Sequence, residues 1–495
     1  MKRLFEKYPF FLVLLPLFVV IHLEKELHRL IPYHFVYDRI LLFFCIPLLL
    51  TIFFLPIFRS LKKSALLSFV CSLFIFFLGD AKNSLSRYYP ESMIQKYSVL
   101  LSASLLVLVV IIIRLKRSRS NFRKISLVLN TTLLLFITAD VIAILFLERK
   151  NTYTMREEEI QLQNSCGDCE KPDIYYIIFD SYTSSAALAK DFNYSNAGLE
   201  HYLQDKGFFI ASQSKSNYNY TAFSLGSIFN LNYFEQIDTT HKLYDRTYLQ
   251  ALKIVYQNKL FPFLRQEGYQ IFNHSLFDIK GFPTTRTVKD KWGIRELFDQ
   301  YNIILKLNAD AGELFPKWIN RELSENDLYV NTRANRKFID SMVMEDLLQS
   351  VQEQSSQPKF VYAHFLSPHP PFFNDSLGRP LISKNLPYPA DIIDGYVNRV
   401  AAANRKITRL MDSILKHTQR PLVIIIQGDH GFTYENDPEK KREKYFPNMN
   451  AFYFSNRDYH LLNDSLTSVN TFRVVLNTWF KKELPILQNE FYFLK

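Results

Sequence analysis

Hydrophobic positions fall into two regimes along the chain. Through residue 147 they form long runs with few charges, and beyond it they form short runs separated by polar, helix-periodic stretches. A run of roughly 20 mainly apolar residues has the length that crosses a bilayer as an α-helix. Five such spans are read here, at 9–23, 35–58, 64–79, 97–113 and 125–147. The first and third are short. A cleaved signal segment is the alternative for the first, but Pro9 and Pro16 interrupt it and Glu24, Lys25 and Glu26 follow it in place of small residues.

Residues 148–171 are polar and rich in Glu and Gln, which predicts a juxtamembrane linker between a helical membrane domain (1–147) and a second domain (172–495). After Pro172 the pattern changes. Asp173–Asp180, Phe360–Phe365 and Leu422–Ile426 are short, nearly continuous apolar runs, as in strands buried on both faces. Tyr269–Phe272 is a further strand, following a helical stretch near 249–266. Tyr396, Val400, Ile407, Leu410, Met411 and Ile414 recur at the spacing of one helix face, which predicts a helix over 394–417. Strands alternating with helices predict an α/β domain with a mainly parallel sheet. Chemistry in such sheets collects beyond the carboxyl ends of the strands.

A net charge of +11 first suggests a nucleic-acid partner, and its distribution removes that reading. The excess lies in three short segments: Lys2, Arg3 and Lys7; Arg59, Lys62 and Lys63; and Arg114, Lys116, Arg117, Arg119, Arg123 and Lys124. Residues 148–495 are formally neutral. Short cytoplasmic loops collect Lys and Arg, so the charge is a topology signal. With five spans it places the amino terminus in the cytoplasm and residue 148 onward outside. Asp140 is an ionisable group inside the fifth span, a functional candidate by default or a group that reaches the interface. Of four cysteines, Cys166 and Cys169 form a Cys-Gly-Asp-Cys motif that reads as a local disulfide or as two loop thiols.

Several polar residues stand where the predicted strands end. Asp180 closes the first strand. His364 lies near the end of the second, with His369 in the loop beyond it. Asp429 and His430 follow the strand at 422–426, within Gln427-Gly-Asp-His-Gly431. A fourth element, Asn219-Tyr-Thr-Ala-Phe-Ser-Leu-Gly-Ser227, reads as a helix start with Thr221 at its amino end, where free N–H groups favour a bound anion. Singly, each has a structural reading as a cap, turn or loop residue. Their joint occurrence and order point beyond that reading.

That order resembles the alkaline phosphatase/sulfatase superfamily: an apolar strand ending in Asp, then Thr-x-x-Ser, then His-x4-His-Pro, then Gly-Asp-His-Gly. The resemblance covers roughly residues 172–455. With helices in front, the chain most resembles the membrane phosphoethanolamine transferases, the lipoteichoic acid synthases and a bacterial group of sulfatase-like hydrolases or transferases. It implies an alkaline phosphatase-like sheet domain in which Asp180, Thr221, Asp429 and His430 bind one divalent cation (manganese, zinc or magnesium), a second cation being the open alternative. It implies Thr221 as nucleophile, with Ser224 as the alternative. His364 and His369 would bind phosphoryl oxygens, ligate a second cation or protonate the leaving group.

Two departures shape the expected chemistry. The Cys/Ser-x-Pro-Ser-Arg motif of sulfatases is absent, which disfavours sulfate-ester hydrolysis. Asp180 is followed by Ser181 rather than by a second Asp, which favours one tightly bound cation. The expected activity is transfer of a phosphoryl-linked group, phosphoethanolamine- or phosphoglycerol-like, from a membrane phospholipid to an envelope glycan or lipid. The alternatives are a hydrolase using water (a phosphodiesterase, phosphatase or sulfuric ester hydrolase) and an inactive envelope scaffold. The expected location is the bacterial inner membrane, multi-pass, with a periplasmic catalytic domain.

Overall fold

The structure, a computed structural model of the chain, describes residues 2–27, 37–89, 92–147, 154–156, 162, 166–237, 239–240, 245–284, 340–370, 392–433 and 442–495. Most of the expected linker 148–171 lies outside them. Described residues up to Leu147 fall in one compact unit, and those from Thr154 onward fall in a second.

The first unit is helical: α1 (Lys2–Lys7), α2 (Phe11–Leu27), α3 (Tyr37–Phe58), α4 (Leu61–Tyr88), α5 (Tyr97–Arg117) and α6 (Arg123–Leu147). Among the described residues four stretches, Ile40–Phe58, Leu61–Lys82, Tyr97–Arg117 and Arg123–Phe146, are long and apolar enough to cross a membrane. The first expected span is the 17-residue helix α2, shorter than those four. The third expected span is longer than its apolar run, because α4 continues through the polar residues to Tyr88. α3 packs on α4, and α2 packs on α6. Leu105, Leu106, Leu135 and Phe146 stay exposed, as on lipid-facing helices. Asp140 is buried, and its carboxylate accepts from Lys25 Nζ at 2.8 Å and pairs with His22 Nδ1 at 2.9 Å, tying α6 to α2. This internal ion pair accounts for an otherwise costly intramembrane charge.

The second unit is built on a six-stranded sheet of β1 (Asp173–Phe179), β2 (Phe209–Ile210), β3 (Gln270–His274), β4 (Lys359–Phe365), β5 (Leu422–Gln427) and β6 (Asn450–Phe454). The strand order is β2-β6-β5-β1-β4-β3. β1 pairs in parallel with β4 and β5, and β3 with β4, while β6 runs antiparallel to β5 and β2 antiparallel to β6. The sheet is therefore mainly parallel with an antiparallel margin. Every residue of β1, β4 and β5 is buried, which is why these three read as continuous apolar runs.

Helices cover both faces: α7 (Ser185–Phe192), α8 (Ala197–Asp205), α9 (Thr221–Asn230), α10 (Asp245–Tyr256), α11 (Leu260–Gln266), α12 (340–352), α13 (Ile392–His417) and α14 (Thr471–Phe480). The alternation along β1 assigns them. Tyr175, Ile177 and Phe179 share a core with Leu188 of α7, Leu203 of α8, Leu347 of α12 and the predicted stripe of α13. Tyr176 points the other way, with Phe229 of α9 at 6.0 Å and Phe472 of α14 at 5.0 Å between ring centroids. The single helical stretch expected near 249–266 is two helices, α10 and α11. Asn258 ends one and starts the other, its Oδ1 accepting from the Phe261 N–H at 3.0 Å.

Because β4 and β5 flank β1 on opposite sides, the connections diverge at β1. The crevice beyond the carboxyl ends of β5, β1 and β4 is the switch point where α/β folds place their sites.

Candidate metal centre and nucleophile

The register levels Ile178 of β1 with His364 of β4 and Gln427 of β5. Asp180, two residues past Ile178, projects from the same face as His364. Asp429, two past Gln427, arrives beside both. Asp180, His364 and Asp429 are all buried, and each offers a ligand atom within 4.8 Å of the others.

The turn that carries Asp429 explains the Gly-Asp-His-Gly pattern. A Cβ on Gly428 would lie 2.2 Å from the Tyr182 carbonyl oxygen, and one on Gly431 would lie 2.5 Å and 2.6 Å from the carbonyls of Lys444 and Pro447. Only glycine lets the backbone pass on either side of the Asp-His pair. Within the turn, Asp429 Oδ1 accepts two backbone N–H bonds at 2.9 Å, from Ser181 and from His430. Ser181 presents its N–H from a left-handed conformation, φ 63°. Asp429 Oδ2 is buried with no hydrogen-bond partner among the described residues.

His430 Nδ1 lies 2.9 Å from the Gly431 carbonyl oxygen, an acceptor only, so Nδ1 carries a ring proton and Nε2 is the nitrogen turned to the carboxylates. That Nε2 lies 3.4 Å from Asp429 Oδ2, 3.8 Å from Asp180 Oδ1 and 3.3 Å from Thr221 Oγ1. His364 Nε2 lies 3.9 Å from Asp180 Oδ2 and has no hydrogen-bond partner among the described residues, while its Nδ1 meets the Tyr362 hydroxyl at 3.0 Å. Ligands bound about 2.1 Å from one cation stand roughly 3–4 Å from each other. The separations 3.4, 3.8 and 3.9 Å fall in that range and are too long for hydrogen bonds. Two orphaned buried ligand atoms with such spacing fit a divalent cation, because unpaired buried polar atoms are costly without one.

The electrostatics agree. Burial alone would raise the Asp180 carboxyl, but His369, His364 and His430 together outweigh it and hold it well below the usual carboxylate range. Asp180 is thus an anion at neutral pH. Tyr248, on α10, is pushed far up by burial and then by the charges of Asp180 and Asp429, which places its neutral phenol beside the site.

Thr221 is the first residue of α9, with Tyr220 before it giving no side-chain cap. Thr221 is half-buried, whereas Ser224 is buried and donates its hydroxyl to the Tyr218 carbonyl at 3.1 Å. Of the two candidate nucleophiles, only Thr221 faces the His430 ring. His369 is half-buried in the loop after β4, where its Nδ1 lies 2.6 Å from the Pro370 carbonyl. Asp340 of α12 holds that loop: Oδ1 accepts from the Leu366 N–H at 2.7 Å, and Oδ2 bonds Ser367 Oγ and Lys406 Nζ. Burial would raise Asp340, and Lys406 with Arg399 reverses this and lowers it.

Of the six residues expected from the sequence, Asp180, Thr221, His364, Asp429 and His430 converge here, and His369 stands in the loop after β4, where its charge lowers the Asp180 carboxyl. Sequence reasoning missed Tyr362, Ser181 and Asp340, which hold or orient them. Tyr362 alternates with His364 along β4 as Tyr-x-His, a pattern that signals one shared sheet face. Cys166 and Cys169 are joined as a disulfide.

No curated protein matches the chain. Its fold is similar to the C-terminal periplasmic domain of EcEptC from Escherichia coli, at 10% identity over 65% of this chain and 84% of that one, TM-score 0.37. It is similar to the integral membrane lipooligosaccharide phosphoethanolamine transferase A from Neisseria meningitidis, at 13% identity over 95% of each chain, TM-score 0.39. It is also similar to the phosphonate monoester hydrolase of Agrobacterium radiobacter, at 11% identity over 62% of this chain and 74% of that one, TM-score 0.37. Residues 172–480, more than half of the chain, match the family model described as Sulfatase, and the chain belongs to the sulfatase family.

Proposed function

We propose that this chain is a membrane-anchored, metal-dependent transferase that moves a phosphoryl-linked group from a membrane phospholipid to an envelope glycan or lipid through a phospho-threonine at Thr221. The observation that carries the proposal is the convergence of Asp180, His364, Asp429 and His430, with orphaned buried atoms, beside the half-buried hydroxyl of Thr221. Four apolar spans support an origin of the donor in the bilayer. With α2 counted as a fifth span, the basic loops support a cytoplasmic amino terminus and an extracytoplasmic catalytic domain.

Asp180, Asp429 and His430 would hold the cation, with His364 as the further ligand their spacing allows. Bound there, a divalent cation lowers the pKa of an adjacent hydroxyl and offsets charge on phosphoryl oxygens. The chain's own groups do the rest. Thr221 Oγ1, having lost its proton to solvent, attacks phosphorus as an alkoxide, an Oγ1–P bond forms, and the bond to the lipid alcohol breaks. His369, in the loop after β4, gives the departing alkoxide its proton. Uncapped N–H groups at the start of α9 face the phosphoryl oxygens. An acceptor hydroxyl then attacks the phosphorus, passes its proton to His369, and frees Thr221.

Intact mass spectrometry of the protein after incubation with bacterial phospholipids and manganese or zinc tests the proposal. An adduct in wild type, mapped to Thr221 and absent from Thr221→Ala, is expected, and its mass names the transferred group. Full turnover by Thr221→Ala would overturn it. Turnover independent of any acceptor alcohol would make water the acceptor and the chain a hydrolase.

A further inference from the structure

Thr221 follows a loop, 215–220, that lies outside the sheet. Residues 490–494, remote in sequence, line it, and a second remote segment holds those residues in turn. The Asn219 carboxamide pairs with both backbone groups of Leu494: Nδ2 donates to its carbonyl at 2.9 Å, and its N–H donates to Oδ1 at 2.8 Å. Asn217 Nδ2 donates to the Glu490 carbonyl at 2.9 Å, its Oδ1 accepts from the Val469 N–H at 2.8 Å, and its carbonyl accepts from the Tyr492 N–H at 2.8 Å. Between them the Tyr218 ring stacks on Tyr492, at 5.3 Å and 13°. Residues 490–494 thus run beside 217–219 like an added strand, with side-chain amides standing in for missing backbone partners.

The second segment is Thr154–Arg156. Arg156 donates two hydrogen bonds of 2.6 Å to the Glu490 carboxylate and a third to the Tyr492 hydroxyl. Its N–H bonds the Tyr233 carbonyl at 2.9 Å, and Asn232 Nδ2 bonds its carbonyl at 3.1 Å, just past the end of α9. Such a fork fixes direction as well as distance. The Arg156 and Glu490 side chains remain 40% and 37% exposed, so the pair adds little to folding stability. Its geometry bears on where residues 490–494 sit.

Resting on the assignment of Thr221 as nucleophile, we infer that residues 490–494, locked by Arg156, form a strap that positions Thr221 for transfer, with Asn217 and Asn219 as its positioning residues. A displacement of 1 Å in a reacting group costs about 10²-fold in rate. Among the described residues the loop before Thr221 pairs with no strand of the sheet to prevent one, and at its start the Ser216 N–H donates to the Phe446 carbonyl at 2.7 Å. The strap supplies that restraint from the far side of the loop, away from the metal ligands.

The test compares wild type, Arg156→Gln, Arg156→Lys and Asn219→Ala in the full chain loaded with manganese. Two readouts are taken: hydrogen exchange of the 217–224 amides, and kcat and KM on bis(p-nitrophenyl) phosphate with bound manganese measured in parallel. Arg156→Gln is expected to speed exchange there and lower kcat about 10-fold, the size of a lost charged hydrogen bond, with KM, bound manganese and β1 exchange unchanged. Asn219→Ala is expected to lower kcat about 10²-fold, and Arg156→Lys to recover part of the loss of Arg156→Gln. Should Asn219→Ala fail to fold, the Arg156 pair carries the test. Faster exchange with unchanged kcat would make the strap purely structural and overturn the inference. Unchanged exchange would overturn it as well. A wild type that turns over no ester would defeat the transfer reading and the inference with it, whereas unchanged exchange or unchanged kcat in an active wild type overturns the strap alone.

Discussion

The metal side of the site and its nucleophile side are held by different means. Asp180, His364 and Asp429 extend from three adjacent strands whose residues are all buried, so the sheet that forms the core also fixes them. Thr221 begins a helix whose preceding loop is held by polar side chains, one of them paired with a backbone 275 positions away. The first arrangement is rigid because disturbing it would unpack the core. The second rests on a smaller core cluster of Tyr218, Phe223, Phe234 and Leu494, within which a few directional bonds, each worth about 1 kcal/mol, set the position of the loop. Cation ligands need invariant spacing, whereas a nucleophile must enter and leave a covalent bond, and the two means of support suit those tasks.

Replacing one group on each side sharpens the contrast. Asp429→Ala removes the orphaned Oδ2 and the acceptor of two N–H bonds. It is expected to lose bound metal, read by elemental analysis, and to lower turnover by about 10³-fold, equivalent to about 4 kcal/mol. Retained metal with near wild-type turnover would show that the strand ends do not form the centre. Ser224→Ala is the smallest change. Loss of its bond to the Tyr218 carbonyl is expected to cost about 1–2 kcal/mol in denaturant unfolding and to leave turnover within a few-fold of wild type. A collapse of turnover at full stability would move the nucleophile from Thr221 to Ser224.

The same contrast governs how much of the site is legible in the amino-acid sequence. The metal side is legible because burial on both faces writes a strand as an apolar run, and Asp180, His364 and Asp429 interrupt or follow such runs. The glycines of Gly428-Asp-His-Gly431 are legible as a pattern, and the reason for them lies in the carbonyls of Tyr182, Lys444 and Pro447 that crowd them. The supports of the nucleophile side are not legible. Asn217, Asn219 and Arg156 look like ordinary loop residues, since nothing local announces partners at 490–494. Likewise β2 and β6 form the antiparallel margin of the sheet, where β2 is only two residues long and half-buried and leaves little pattern. Asp340 gives no signal because its partners, Leu366, Ser367 and Lys406, come from two other elements.

The most direct test of the account is anomalous X-ray scattering from crystals of the protein grown with manganese, collected on both sides of its absorption edge. The account predicts one strong peak within ligand distance of Asp180, Asp429 and His430, with Thr221 Oγ1 beside it. Ordered side chains at these positions with no peak between them, at saturating manganese and again at saturating zinc, would contradict it.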